Sequence, residues 1–229
     1  MPDRTDPIPM HPRDAGCDVL IVSEVPLWPL DQGLKVHGSQ MARALAALGQ
    51  RVKIATMQPP PAGMPKALSQ LHTPWPEASD SDAKLFRAGW RGPLSDFRAR
   101  VASHQALDLR RLAGIIPLVR RQRPAAVVAL GQHGPIILRG LHGYTRRLDE
   151  RPRLVWYAAD ELVSFQLGCW LNQPLDQPLY HLRLSAVYAA IERAFGTCLD
   201  GVIGVSPQDT QRLKWMPGAR SAQLIRNGV

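Results

Sequence analysis

Apolar and polar positions along the chain change period several times. Asp18 to Ser23 (DVLIVS) is a continuous apolar run between polar residues, the pattern of a strand buried on both faces of a parallel sheet. From Leu34 to Leu48, Met41, Ala44, Leu45 and Leu48 recur at helical spacing, and Gly49 follows where a left-handed terminus stops a helix. Val52 to Met57 (VKIATM) predicts a second strand, so residues 18–57 make a complete βαβ unit. From Pro59 to about Pro93 no period is sustained, and no element is predicted there.

Periodicity returns at Ala106 to Arg123, where Leu109, Leu112, Ile116 and Val119 share one helical face, with a kink or local tightening expected at Pro117 and an end at Pro124. AAVVALG (125–131) predicts a third strand, residues 135–148 a helix and RLVWYAAD (153–160) a fourth strand. The longest helix is expected from about Gln177 to Cys198, with Leu184, Val187, Ile191, Phe195 and Cys198 at steps of three and four. GVIGVS (201–206) is a fifth strand, and Ser206-Pro207-Gln208-Asp209 carries an N-cap hydroxyl, a proline at the first helical position and an acid in the first turn. That helix runs to about Met216, Pro217-Gly218 turns the chain, and AQLIRNGV opens with a last strand. Alternating strands and helices predict an α/β, Rossmann-like, doubly wound and mostly parallel sheet of six or seven strands, its ligand crevice beyond the strands' carboxyl ends. Residues 1–16 are expected to be a disordered Pro-rich tail and residues 17–229 one domain.

Composition narrows the setting. The 229 residues are 45% apolar, enough for one sizeable core. Cys17, Cys169 and Cys198 are odd in number, far apart and without a C-x-x-C pair, which indicates neither a disulfide framework nor a zinc site and suits a reducing cytoplasm. No apolar stretch approaches bilayer-spanning length. A net charge of +9 favours anionic partners, and much of it sits between Arg87 and Arg123. That stretch reads either as a solvated helix face or as a surface resting on acidic lipid; without interleaved aromatics to stack bases, nucleic acid is not expected. Peripheral attachment to the inner face of a membrane would follow from the lipid reading.

The loop after the first strand, SEVPLWPLDQGLKVHG (23–38), contains neither G-x-G-x-x-G nor G-x-x-x-x-G-K-[ST], which argues against a nicotinamide oxidoreductase and a P-loop NTPase. Gly33 stands at a helix entrance, where free N–H groups could receive a phosphate or where it serves only as a turn residue.

The order of these pieces resembles a known family. DVLIVSEVPLWPLDQGLKVHGSQMARALAALGQRVKIATM resembles the opening of retaining GT-B fold glycosyltransferases of the family-4 (group 1) type, in which an apolar strand is followed by prolines, a Gly-Gly pair, a helix ending L…GH.V and a second strand. RQRPAAVVALG is similar to the family's R-P-D-V-V-H-A-H-G, LDGVIGVSPQDTQRL to its aD.vi.vS motif, and LIRNGV to its vipNGVD. The likeness covers residues 17–229. It implies the acceptor-side, N-terminal domain of a hexosyltransferase in polysaccharide or glycolipid biosynthesis, with a nucleotide sugar as co-substrate, a glycan or lipid-linked acceptor, and neither metal nor cofactor. In the family NGV leads across a hinge, here Asn227 and Gly228, into a donor-binding domain with a glutamate pair. This chain is therefore expected to be inactive without such a domain, whether it is a fragment, the product of a truncated gene or one subunit of a split transferase completed by a separate polypeptide.

Residue by residue, the resemblance implies a donor-phosphate loop at Gly33, Leu34 and Lys35, with Leu34 in the place of the family's second glycine. It puts Asp160 and Glu161 where an acid faces the acceptor and could orient or deprotonate a hydroxyl; capping a helix is their other reading. The family histidine falls on Leu130 and the aspartate of R-P-D on Ala125, while Gln132 and His133 could substitute as polar groups. His37 and Ser206 complete the acceptor-side candidates, although first-turn solvation and N-capping account for them equally. The departures at Leu34, Ala125 and Leu130 leave a rival expectation open, a non-catalytic binding or scaffold protein on a degenerate glycosyltransferase fold.

Overall fold

The computed structural model describes residues 16–90, 108–158, 162–172, 178–216 and 221–225. Strands β1 (Val19–Ser23), β2 (Val52–Thr56), β3 (His72–Pro74), β4 (Ala126–Leu130), β5 (Arg153–Ala158), β6 (Gly201–Gly204) and β7 (Ala222–Leu224) form a sheet in the order β3-β2-β1-β4-β5-β6-β7, parallel throughout. Helices α1 (Gly33–Ala47), α2 (Lys66–Leu71), α3 (Asp80–Gly89), α4 (Leu109–Leu112), α5 (Ile115–Gln122), α6 (Gly134–Thr145), α7 (Leu162–Asn172), α8 (Pro178–Phe195) and α9 (Pro207–Leu213) connect them. The chain thus adopts the doubly wound, Rossmann-like α/β fold that its periodicity predicts.

Strand alternation divides the core in two. On β1, Leu20 and Val22 enter one apolar layer and Ile21 the other. Ala42 and Ala46 of α1 and Leu68 and Leu71 of α2 cover the layer around Ile21, Ile54 and Val128. Phe86 of α3, Ile116 of α5, Leu141 of α6 and Ile191 of α8 cover the layer around Leu20, Val127, Leu154 and Trp156. Right-handed crossovers require opposite faces for opposite directions of travel, so the winding reverses between β1 and β4.

Several boundaries differ from expectation. The aperiodic stretch after Pro59 holds α2, β3 and α3, elements too short to display a period. Helix α3 starts on a capping box in which Ser79 Oγ accepts from Asp82 N (3.1 Å) and Ser79 N donates to the Asp82 carboxylate (3.3 Å). Over its described part the helix expected across 106–123 is two, α4 and α5, interrupted at Ala113-Gly114; Pro117 has no N–H for the Ala113 carbonyl, which accepts from Ile116 N instead (3.0 Å), so the disruption expected from this proline falls one turn before it. Helix α7 was not predicted, because its apolar residues lie on nearly all faces. The N-terminal tail, save Gly16, lies outside the described residues.

Four of the described arginines of the basic stretch, though exposed, engage groups of their own chain. Arg110 pairs with Asp80 (3.1 Å), Arg111 donates to the Met57 carbonyl, Arg121 donates to Thr73 Oγ1 (3.1 Å), and Arg120 pairs with Asp82 (2.9 Å) while lying over the Tyr144 ring. Burial by itself would raise the Asp82 carboxyl; the hydrogen bonds from Ser79 and Arg120 outweigh it and hold the group below its ordinary range.

Helices α3 and α6 touch backbone to backbone through glycines. A Cβ on Gly143 would lie 2.5 Å from Gly89 Cα, and one on Gly140 would lie 2.2 Å from the Phe86 ring. Gly143→Ala should therefore lower stability by about 1–3 kcal/mol in urea unfolding, the cost of overpacking. Gly168→Ala, in α7 with nothing within 4 Å of its Cβ, should instead raise it by about 0.5–1 kcal/mol.

Stability should also fall as pH drops. Burial lowers His72 below the ordinary 6.5, and burial with the neighbouring Arg139, Arg151 and Arg146 lowers His142. Below 6.5 the unfolded chain binds protons that the folded chain refuses, so urea midpoints should decline through that point and level off above it. Asp18, held down chiefly by its Arg51 hydrogen bond, and Asp82 add a second decline. Their contribution is present above 3.8 and is lost as pH falls through their lower folded-state values.

Candidate functional site

Where the winding reverses, no crossover covers the carboxyl ends of β1 and β4, and the loops 24–32 and 131–133 flank the gap. The second loop is firmly held. Gly131 takes the left-handed conformation (φ +79°), its N–H donates to Tyr157 O (3.1 Å), and its carbonyl accepts from Trp156 Nε1 (2.8 Å). At Gly134 a Cβ would sit 2.4 Å from the Trp156 ring, so α6 begins in contact with β5. His133 is thereby placed, only 7% exposed, facing the first loop.

A directional chain of hydrogen bonds crosses the gap. His133 Nδ1 bonds to the Glu24 carboxylate, which can only accept; Nδ1 is then the donor, which in the neutral form of the ring leaves Nε2 as an acceptor. Gln132 Nε2 lies 3.4 Å from that nitrogen and donates to it weakly, while Gln132 Oε1 accepts from Tyr188 Oη of α8 (3.2 Å). Gln132 is exposed and its contact is long, so a ligand hydroxyl can replace its amide on His133 Nε2. Three separate elements contribute to this line, and each bond has one allowed direction.

A second pair borders the same gap. Helix α1 seats closely on the end of β4, since a Cβ on Gly38 would come 2.6 Å from Leu130. This carries His37 Nδ1 to 2.8 Å from Tyr157 Oη. Burial raises the Tyr157 phenol to about 12, so it stays protonated and donates to His37. Ser23 Oγ, buried at the end of β1, has no hydrogen-bond partner among the described residues.

The expected phosphate loop has a different arrangement. Gly33 is exposed, Leu34 packs inward against Gly131, and Lys35 is nearly buried with Nζ 2.8 Å from Asp31 Oδ1. Asp31 thus sets a negative charge just ahead of the N-cap of α1, and the hydrogen bond from Lys35 holds its carboxyl below the ordinary range. Ser206 caps α9, accepting from Asp209 N (3.0 Å). Asp160, Glu161, Asn227 and Gly228 lie outside the described residues.

Of the candidates read from sequence, the fold brings Gln132, His133 and His37 to the crevice. Glu24, Tyr157 and Tyr188 join them from positions 109, 120 and 56 residues removed from their partners, separations that no local motif reports.

In 15N spectra of histidine-labelled protein, neutral His133 should appear as the Nδ1–H tautomer. Glu24→Ala should move it toward Nε2–H without unfolding the chain; an unchanged spectrum would remove Glu24 as the orienting group. Comparison with protein-family models and with curated proteins finds no match for this chain.

Proposed function

We propose that this chain is the acceptor-side lobe of a glycosyltransferase built from two Rossmann-like lobes. In this reading the crevice between β1 and β4 holds a glycan or lipid-linked acceptor while a sugar is transferred from a nucleotide sugar. The observation that carries it is the chain Tyr188–Gln132–His133–Glu24. Glu24 commits Nδ1 and directs the Nε2 lone pair to the crevice, where it can accept a hydrogen bond from a sugar hydroxyl and align it for attack. Supporting groups suit a polyhydroxylated ligand, because Gln132, His37 and Tyr188 offer both donors and acceptors. Leu130, which takes the place of the family histidine, is buried in the core, and His133 supplies an imidazole three residues later.

Transfer would further require an opposing lobe to enclose the donor and stabilise the departing diphosphate, carried by another polypeptide or by a longer form of this one. The protein would then work at the cytoplasmic side, where its acceptor meets the nucleotide sugar. The closure of Lys35 on Asp31 favours a second reading, in which the same crevice binds a glycan without transferring to it.

Calorimetric titration separates the components. A short polyprenyl phosphate or its glycosylated form should bind the chain, UDP-glucose and GDP-mannose should not, and no sugar should be transferred by the chain alone. His133→Ala should weaken acceptor binding roughly three- to tenfold, the worth of one hydrogen bond of about 0.5–1.5 kcal/mol. Turnover by the unaccompanied chain, or binding of the nucleotide sugar with no binding of either acceptor, would overturn the assignment.

A further inference from the structure

Helices α7 and α8 pack as an antiparallel hairpin. His181 Nδ1 lies 2.7 Å from Gln166 Oε1 and Ser185 Oγ donates to Val163 O (3.2 Å), so residues of α7 and α8 oppose one another in reverse order. This places the end of α7 beside the start of α8. Trp170 and Leu171 stand exposed on the first, Leu179, Tyr180 and Leu182 on the second. Leu171 and Leu179 are 72% and 68% open to solvent.

The direction of the hairpin sets where this cluster points. Helix α7 follows the carboxyl end of β5, and Tyr188 of α8 reaches Gln132 at the carboxyl end of β4. Leu182 precedes Tyr188 by six residues, about 9 Å along a helix, so the apolar end stands beyond the sheet on the side of the crevice. Leu30, 45% exposed in the loop after β1, belongs to the same end of the molecule.

We propose that this end of the hairpin docks on a lipid surface carrying anionic headgroups, inserting its leucines and aromatics at headgroup depth. Helix α7 is apolar on nearly every face in sequence, and its last turn leaves Trp170 and Leu171 exposed. Trp170 and Tyr180 flank the leucines, the side-chain set that resides at membrane–water boundaries. Within the two helices the first carboxylate is Glu192, while Arg183 and His181 lie near the apolar end; Asp176, between the helices, lies outside the described residues. The chain as a whole, at +9, is drawn to negative lipid. Five partly exposed side chains amount to a patch on the order of 500 Å², below the ~800 Å² per partner that a stable protein interface buries, which favours a lipid surface over a second copy. Among the described residues no helix is long and apolar enough to cross a membrane, so the contact is with the surface.

Docking in this way does not rest on the proposed transferase role. If both hold, the crevice faces the surface and its acceptor is lipid-borne.

Flotation of the full chain with phosphatidylcholine–phosphatidylglycerol vesicles tests the proposal. The protein should float with the vesicles, and Leu171→Glu/Leu179→Glu should reduce the bound fraction at least about tenfold with an unchanged thermal midpoint. His133→Ala should float as the unaltered protein does, so failure of the acceptor reading leaves this result intact. Three outcomes would overturn it: no flotation of the unaltered chain, equal flotation of the double variant with binding abolished by salt, or a dimer in light scattering that the double variant converts to monomer. The second would assign attachment to the arginines, the third to another copy.

Discussion

The pairing of β1 with β4 is the constraint on which the rest of the structure depends. Val22 opposite Ala129 is the last register pair of two strands whose helical connections leave in opposite directions. Because parallel strands can be joined only by crossovers of one hand, a reversal of direction forces the helices onto opposite faces. Helical crossovers then do not pass over the carboxyl ends of these two strands. A crevice at this place is a consequence of backbone chirality, present whatever side chains line it.

Side chains decide what the crevice can do. Glu24 and His133 meet across it, and the carboxylate's inability to donate sets the direction of each hydrogen bond out to Tyr188. Among the described residues the imidazole Nε2 meets the exposed Gln132 amide at 3.4 Å, the longest link of the line. At the neighbouring helix entrance the opposite holds. Lys35 and Asp31 satisfy one another, and the leucine after Gly33 serves the core. The two halves of the crevice therefore differ, one open to a neutral hydroxyl and the other closed on itself.

Arg110, Arg111, Arg120 and Arg121 are engaged with acids, a carbonyl and a hydroxyl of their own chain, whereas the hairpin end exposes leucine and aromatic side chains beside Arg183 and His181. The α3–α6 contact through Gly89, Gly140 and Gly143 brings two backbones within van der Waals distance beneath the second core layer. It braces α6, whose first residues follow His133 directly.

By itself the sequence determined the fold class and most strand positions, because burial on both faces writes an uninterrupted apolar run such as LIV in β1 or VVAL in β4, and a cap such as Ser206 is local. It also singled out His133 and Gln132 as polar residues near the end of the third predicted strand and His37 near the start of the first helix. Short elements escaped: α2 and β3 are below the length at which a period is visible, and α7 is apolar nearly all round. Only the tertiary structure decided that Glu24 orients His133, that Tyr157 holds His37, that Lys35 is spent on Asp31, and that α7 and α8 leave an apolar end uncovered. Those outcomes join residues far apart in the chain, and their partners are chosen by the order of strands in the sheet, which no local pattern of hydrophobicity encodes.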